Sequence, residues 1–196
     1  MHYKVTSQAT TYASKINEYV NHLGIDVLSA LDNCASIKVY KKGDFLLRQG
    51  RICTHSFQIK RGFARKFYLN NGKEITTELF FKDDIAISLS SYIMQQPGKE
   101  FIQAITDVEV SVMDYASFQE AKKIYPDLAI LDGMIGDYYS IWLEERLFQF
   151  HTMTAKERYH LLLTTQPEII QHIPLTHIAS YLGISLETLS RIRARI

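Results

Sequence analysis

Between Thr10 and Leu31 the apolar residues Ile16, Tyr19, Val20, Leu23, Val27, Leu28 and Leu31 recur three or four positions apart. That spacing predicts helix. From Ile37 to about Asp114 the pattern changes to short runs rich in Phe, Tyr, Ile and Val. Turn sequences break these runs: Lys41-Lys42-Gly43-Asp44, Arg48-Gln49-Gly50-Arg51, Lys60-Arg61-Gly62 and Asn70-Asn71-Gly72-Lys73. Asn71-Gly72 between Phe63–Tyr68 and Ile75–Phe81 predicts a hairpin, because a type I′ turn needs positive φ at both central residues. Turns at roughly ten-residue spacing predict an antiparallel roll or barrel. After Ser117 the pattern is helical to the end. Leu128, Leu131, Ile135, Tyr138 and Trp142 form one stripe, and Met134, Ile141 and Phe148 form another. A helix apolar on two sides must bury both. We expect one side on the roll and the other on the same helix of a second subunit, with Leu128, Leu131, Ile135, Tyr138 and Trp142 at the dimer interface. A helix wholly buried in a monomer stays open as the alternative.

The last segment has the layout of a helix-turn-helix. Pro174 suits a first helical turn, and Ala179 is small where two helices must approach. Gly183 can take the left-handed conformation that ends a helix. Ser185 is a good N-cap, and Glu187 lies where the helix dipole favours an anion. Ile178, Leu182, Ile184, Leu189 and Ile192 supply inward faces. At about 100° per residue, Glu187, Arg191 and Arg195 share one face of the second helix, opposite Leu189, Ile192 and Ile196. Such a face suits the major groove of double-stranded DNA: Arg can chelate guanine, and Glu can accept from cytosine. An ordinary solvated helix with a Glu187–Arg191 pair would have the same charges; the Ala/Gly/Ser scaffold at fixed offsets favours DNA. Ser185, Glu187, Thr188, Ser190, Arg191 and Arg195 are the expected DNA-facing residues.

Composition adds limits. The 196 residues are 46% apolar, enough for a real core, and carry 22 Lys and Arg against 21 Asp and Glu, a net +1. No basic field covers the whole chain, so any DNA contact rests on a local patch. Two cysteines, Cys34 and Cys53, are too few for an iron–sulfur cluster or a cysteine-rich zinc site; we expect reduced core thiols in strand-like segments. The N-terminus has no signal-type apolar run, and no stretch reaches transmembrane length. We therefore expect a cytoplasmic protein with no membrane partner. A cupin-type enzyme would need histidines on neighbouring strands, and the strand region offers only His55; no enzyme and no metal site is expected.

The chain resembles the Crp/Fnr family of bacterial transcription regulators over nearly its whole length. The matching pieces are Gly43-Asp44, Gln49-Gly50, Gly62, Asn71-Gly72-Lys73-Glu74, Leu79-Phe80-Phe81, the long helix and Ile184 to Arg191. The resemblance implies an α+β fold: an N-terminal antiparallel β-roll of the cyclic-nucleotide-binding kind over 1–126, a dimerisation helix over 127–150 and a helix-turn-helix domain over 151–196. It implies a homodimer on an inverted-repeat promoter site, with RNA polymerase as a further partner. It also carries the family's base-reading glutamate and arginine onto Glu187 and Arg191, while Leu186 replaces a further family arginine. In the roll, Ile87-Ser88-Leu89 stands where the family has Gly-Glu-Leu, and Gly98-Lys99-Glu100 where it has Arg-Ser/Thr-Ala. The ribose carboxylate and phosphate guanidinium are both missing, so cyclic AMP is not expected as cofactor and the effector is unknown. Ile87, Ser88, Leu89, Tyr92, Lys99 and Phe101 are the candidate effector-pocket residues. With the sequence stopping at Ile196, we expect no β-hairpin wing and assign phosphate contacts to Lys156, Arg158 and His177. A sensing or interaction module whose helix-turn-helix no longer binds DNA is the rival reading.

Overall fold

The computed structural model describes residues 7–195; Ile196, expected on an inward helical face, lies outside them. In chain order the elements are α1 (Gln8–Asn21), α2 (Ile25–Asn33), β1 (Ala35–Tyr40), β2 (Phe45–Leu47), β3 (His55–Arg61), β4 (Ala64–Asn70), β5 (Lys73–Phe80) and β6 (Ile85–Ala86). Then come α3 (Leu89–Met94), β7 (Phe101–Ala104), β8 (Val108–Asp114), α4 (Tyr115–Ile124) and α5 (Pro126–Thr152). The chain continues with α6 (Ala155–Thr165), α7 (Ile169–His172), α8 (Leu175–Tyr181) and α9 (Leu186–Arg193). The N-terminal helical pattern is two helices, with Gly24 as the N-cap of the second.

Two four-stranded sheets, β1-β8-β3-β6 and β2-β7-β4-β5, make the roll, and all their pairings are antiparallel. The predicted hairpin is β4–β5: Asn70 pairs with Lys73, and Asn71 and Gly72 take φ of 51° and 77°. Alternate residues of these strands point inward, as the pleat requires. Phe57, Ile59, Ala64, Phe80, Ile102, Ala104, Val108, Val110 and Val112 thus form one buried core.

The chain divides into two compact units, Met1–Cys34 with Ser117–Thr154, and Ala35–Ala116 with Ala155–Ile196. In the first, α1 runs antiparallel along α5: Ser7 Oγ donates to Glu145 at 2.6 Å, Tyr12 OH to Asp137 at 2.9 Å and Tyr19 OH to Asp127 at 3.1 Å. In the second, helices α6–α9 share a core with the roll. Leu79 and Ile105 pack with Tyr159, Leu162, Ile169, Ile178, Leu182 and Leu189, and Phe63 and Phe81 close the edge. The helical segment after residue 154 is therefore continuous with the roll in its packing.

Both cysteines are buried and free, yet neither lies in a strand. Cys34 is the C-cap of α2, and Cys53 precedes β3 in a loop where Ser91 Oγ accepts its N–H at 2.9 Å. Burial pushes the Cys53 thiol above its ordinary range. Among the described residues, no helix is long and apolar enough to cross a membrane.

Candidate nucleic-acid interface and the roll interior

The scaffold for the last two helices is local. Gly183 takes φ of 69°, and the Ile184 N–H returns to the Ala179 carbonyl at 3.0 Å. Ser185 caps α9, its Oγ accepting the Thr188 N–H at 3.1 Å. Ala179, Leu182 and Leu189 are buried beneath the turn. This leaves Ser185, Glu187, Ser190, Arg191 and Arg195 exposed and Thr188 partly so. Arg191 donates to Thr188 Oγ1 at 3.2 Å. The Glu187 carboxyl is held below its usual range, first by its own backbone N–H, then by the Ser185 hydroxyl, with Arg191 and Lys73 adding to the effect. It is a ready hydrogen-bond acceptor at neutral pH.

Of the three residues assigned to phosphate contacts, only Lys156 is exposed. Arg158 is turned inward, donating to the Leu182 carbonyl at 3.0 Å, and so ties α6 to the end of α8. His177 faces the roll. Its Nδ1 accepts from Arg65 Nη1 at 3.0 Å, while Arg65 Nη2 donates to Glu74 at 2.6 Å and to Gln103 at 2.8 Å. The Arg65 guanidinium, 3% exposed as a residue, lies 4.0 Å over the Phe67 ring. Beside it the Thr76 N–H donates to Ser180 Oγ at 2.9 Å. The first helix of the pair is thus seated on β4 and β5 through polar contacts that the sequence reading missed. Desolvation first, and the Arg65 charge second, push the His177 pKa down to about 4.

The six candidate effector residues fall in more than one setting: Ile87 and Tyr92 share the roll core, and Ser88 Oγ and the Lys99 N–H both donate to Glu100 Oε2. Ser88 is fully buried, and Tyr92 packs edge-on against Tyr115 at 4.9 Å in the roll core. Ile87 is partly buried against the same core, and Leu89 begins α3. Lys99 is exposed. Phe101 points to the opposite face of its sheet from Ile102 and stacks on Phe67 at 4.9 Å. The roll interior holds its own charges instead. Lys66 pairs with Glu78, both buried, and Ser88 Oγ donates to Glu100 Oε2 at 2.7 Å.

On α5 the expected interface stripe requires correction. Leu128 is fully buried and Leu131 is 4% exposed, so both are consumed inside their own chain and cannot meet a second subunit. Ile135, Tyr138 and Trp142 are partly covered. A different row is open: Ala129, Gly133, Gly136, Ser140, Leu143, Leu147 and Phe150, alternately four and three residues apart, are all exposed. Leu143, Leu147 and Phe150 are 45%, 60% and 43% exposed. A Cβ added at Gly133 or Gly136 would meet nothing within 4 Å.

Residues 37–125 match the family model of the cyclic nucleotide-binding domain. A search of curated protein sequences finds no significant match. Among solved structures, the chain is similar to FixK2 from Bradyrhizobium japonicum, with 20% identity, TM-score 0.67, and 82% of this chain covering 83% of that one. It is similar to the c-di-GMP responsive global regulator CLP of Xanthomonas campestris, with 14% identity, TM-score 0.68 and coverage of 88% and 91%. It is also similar to the Thermus thermophilus catabolite activator protein, with 16% identity, TM-score 0.56 and coverage of 90% and 85%. At these identities the likeness establishes the fold, and the expected roll with helical extension is that fold.

Proposed function

We propose, from the premise that residues 37–125 form a domain of the cyclic nucleotide-binding family within a Crp/Fnr-type fold, that this chain is a sequence-specific DNA-binding transcription regulator. The observation that carries the reading is the outer face of α9, where Glu187, Ser190, Arg191 and Arg195 stand exposed behind a formed Ser185 cap. Two chains pair along α5 and set two copies of α9 about 34 Å apart, one turn of B-DNA, over an inverted repeat. The bound dimer then recruits or blocks RNA polymerase in the cytoplasm. No enzymatic activity belongs to this reading.

The pairing surface is the open row on α5. Its alternation of four and three is the heptad spacing of a coiled coil. Glycine in mid-helix is unfavourable by roughly 0.5–1 kcal/mol relative to alanine. Nothing in the chain itself crowds Gly133 or Gly136, which leaves room for a close approach by a second α5. Cyclic AMP is not the signal in this reading, because Ile87-Ser88-Leu89 and Gly98-Lys99-Glu100 lack the ribose carboxylate and the phosphate guanidinium that the resemblance would require.

Fluorescence anisotropy with an in vitro-selected palindrome tests this reading. Saturable binding at about one dimer per palindrome, at least ~10³-fold tighter than to random DNA, supports it. Equal affinity for both sequences, or no binding at low salt, overturns it in favour of a non-DNA-binding sensor.

A further inference from the structure

The roll has an open cavity, and it is not at the positions where the family resemblance looked for one. It measures about 460 Å³ and lies between β2 and the start of β3. That volume falls within the ~300–1,000 Å³ range of small-molecule sites. Its rim carries Arg48, Arg51, Thr54 and His55, with the partly exposed Phe45 and the exposed Ile52 among them, while Leu46, Leu47, Cys53 and Phe57 lie behind in the roll core. We propose that this cavity binds a small organic anion with an apolar body, its carboxylate or phosphate held by Arg48 and Arg51 and its apolar part lying against Phe45 and Ile52.

Three features of the cavity support this assignment. The turn bearing the two arginines is tied down before any ligand arrives. Gly50 N–H donates to the Gly98 carbonyl at 2.9 Å, Gly98 N–H donates to the Arg51 carbonyl at 3.0 Å, and Ile52 bridges Pro97. Preorganisation of this kind lowers the ordering cost of binding. Arg48 is positioned as well, its guanidinium 3.9 Å over the Phe45 ring. Stacking occupies the face of the guanidinium and leaves its N–H edge for a planar anion. Finally, His55 is already engaged, with Nε2 3.8 Å from Asp114 and Nδ1 3.0 Å from Thr54 Oγ1. The arginines therefore provide the charge. The cavity exceeds what a bare phosphate fills, and the apolar surface of Phe45 and Ile52 beside the arginines favours an apolar ring or short chain.

The role of effector site rests on the regulator reading, but the binding does not, and it is measured without DNA. Isothermal titration of the full chain with octanoate and with phenyl phosphate is compared with 1-octanol and inorganic phosphate. At least one organic anion should bind about tenfold more tightly than both controls. The double variant Arg48→Ala, Arg51→Ala should lose that margin, and Arg48→Lys, Arg51→Lys should keep part of it. Lys38→Ala, which removes an exposed cation on β1 away from the cavity, should leave it unchanged. Binding of 1-octanol as tight as octanoate, indifference to the double alanine variant, an equal loss in Lys38→Ala, or no binding of either organic anion overturns the proposal. Circular dichroism of each variant separates lost binding from lost folding.

Discussion

Helix α8 sits on a buried polar network of the roll, whereas helix α9 turns its charged side chains to solvent. Under α8, His177 meets Arg65, which is 3% exposed and already bonded to Glu74 and Gln103. On α9, Glu187 and Arg191 face solvent. Charges of the first kind are paired within the chain, with only Arg65 Nε lacking a partner in the network, and contribute to holding the fold; those of the second kind are exposed. Substitutions beneath α8 should therefore act on stability, and substitutions on the outer face of α9 on recognition. Arg65→Ala is the sharpest way to break the α8 side. It leaves Glu74, Gln103 and His177 short of a donor, and should destabilise the chain by about 2–4 kcal/mol, the range expected when one member of a buried polar network is removed. A urea melt at neutral pH reads this. A midpoint within error of the unsubstituted chain would mean that the network is dispensable.

Acid should do part of the same work. His177 Nδ1 accepts from a guanidinium that stays charged, so protonation removes the acceptor and sets two cations side by side. Its folded pKa of about 4 lies below the usual 6.5, so the less folded chain takes the proton first. The contribution is complete above pH 6.5 and declines as the pH falls through 4. Asp84 acts in the opposite sense. Desolvation raises its pKa to about 6, so it adds stability as the pH falls below that value. The comparison with His177→Gln cancels the Asp84 contribution, since both chains keep it. Urea melts from pH 7.5 to 4.5 should show a steeper acid loss in the unsubstituted chain than in the glutamine variant. Parallel curves would remove His177 from the account.

The α9 side should behave in reverse. Arg191→Ala should leave the unfolding free energy from urea melts within about 0.5 kcal/mol, as an exposed substitution does. It should weaken binding to the selected palindrome by ~1–3 kcal/mol per half-site and relax preference at one base pair. Anisotropy against a panel of single-base variants checks this. An equal loss on specific and random DNA would make Arg191 a phosphate contact.

What was legible in the sequence follows the same line. The Asn71-Gly72 hairpin and the Gly183–Ser185 turn were readable because each is set by residues adjacent in the chain. The Arg65–His177 contact joins residues 112 positions apart, and no local pattern announces it. Arg158 and His177 looked like free cations because a sequence does not say which way a helix turns its polar face when a sheet lies beneath it. The burial of Leu128 and Leu131 on α5 is illegible for a different reason. That helix is apolar on nearly every side, so its periodicity does not reveal which side α1 and the rest of its own unit will cover. Leu128 and Leu131 were as good by spacing as Leu143 and Leu147, and only their burial separates them. Around the candidate effector positions, strand alternation sends Phe101 and Ile102 to opposite faces of β7, which a list of neighbouring residues does not display.

Helix α5 extends the comparison between charges used and charges left open to its apolar faces, and yields the smallest expected effect. Gly136 has open space where a Cβ would stand. In a chain acting alone, Gly136→Ala should therefore stabilise the helix by roughly 0.5–1 kcal/mol. In a dimer paired along this row the added methyl enters the closest part of the seam, and association should weaken although each monomer is more stable. The two effects have opposite signs and separate experimentally. Thermal melts at concentrations below the dimer dissociation constant read the first, and sedimentation equilibrium across a concentration series reads the second. Leu147→Glu should weaken the same association without the stabilising part, since it places a charge at an apolar seam position. If Gly136→Ala stabilises the monomer and leaves the association constant untouched, the seam runs along another face of α5, and the glycines need an explanation other than close approach.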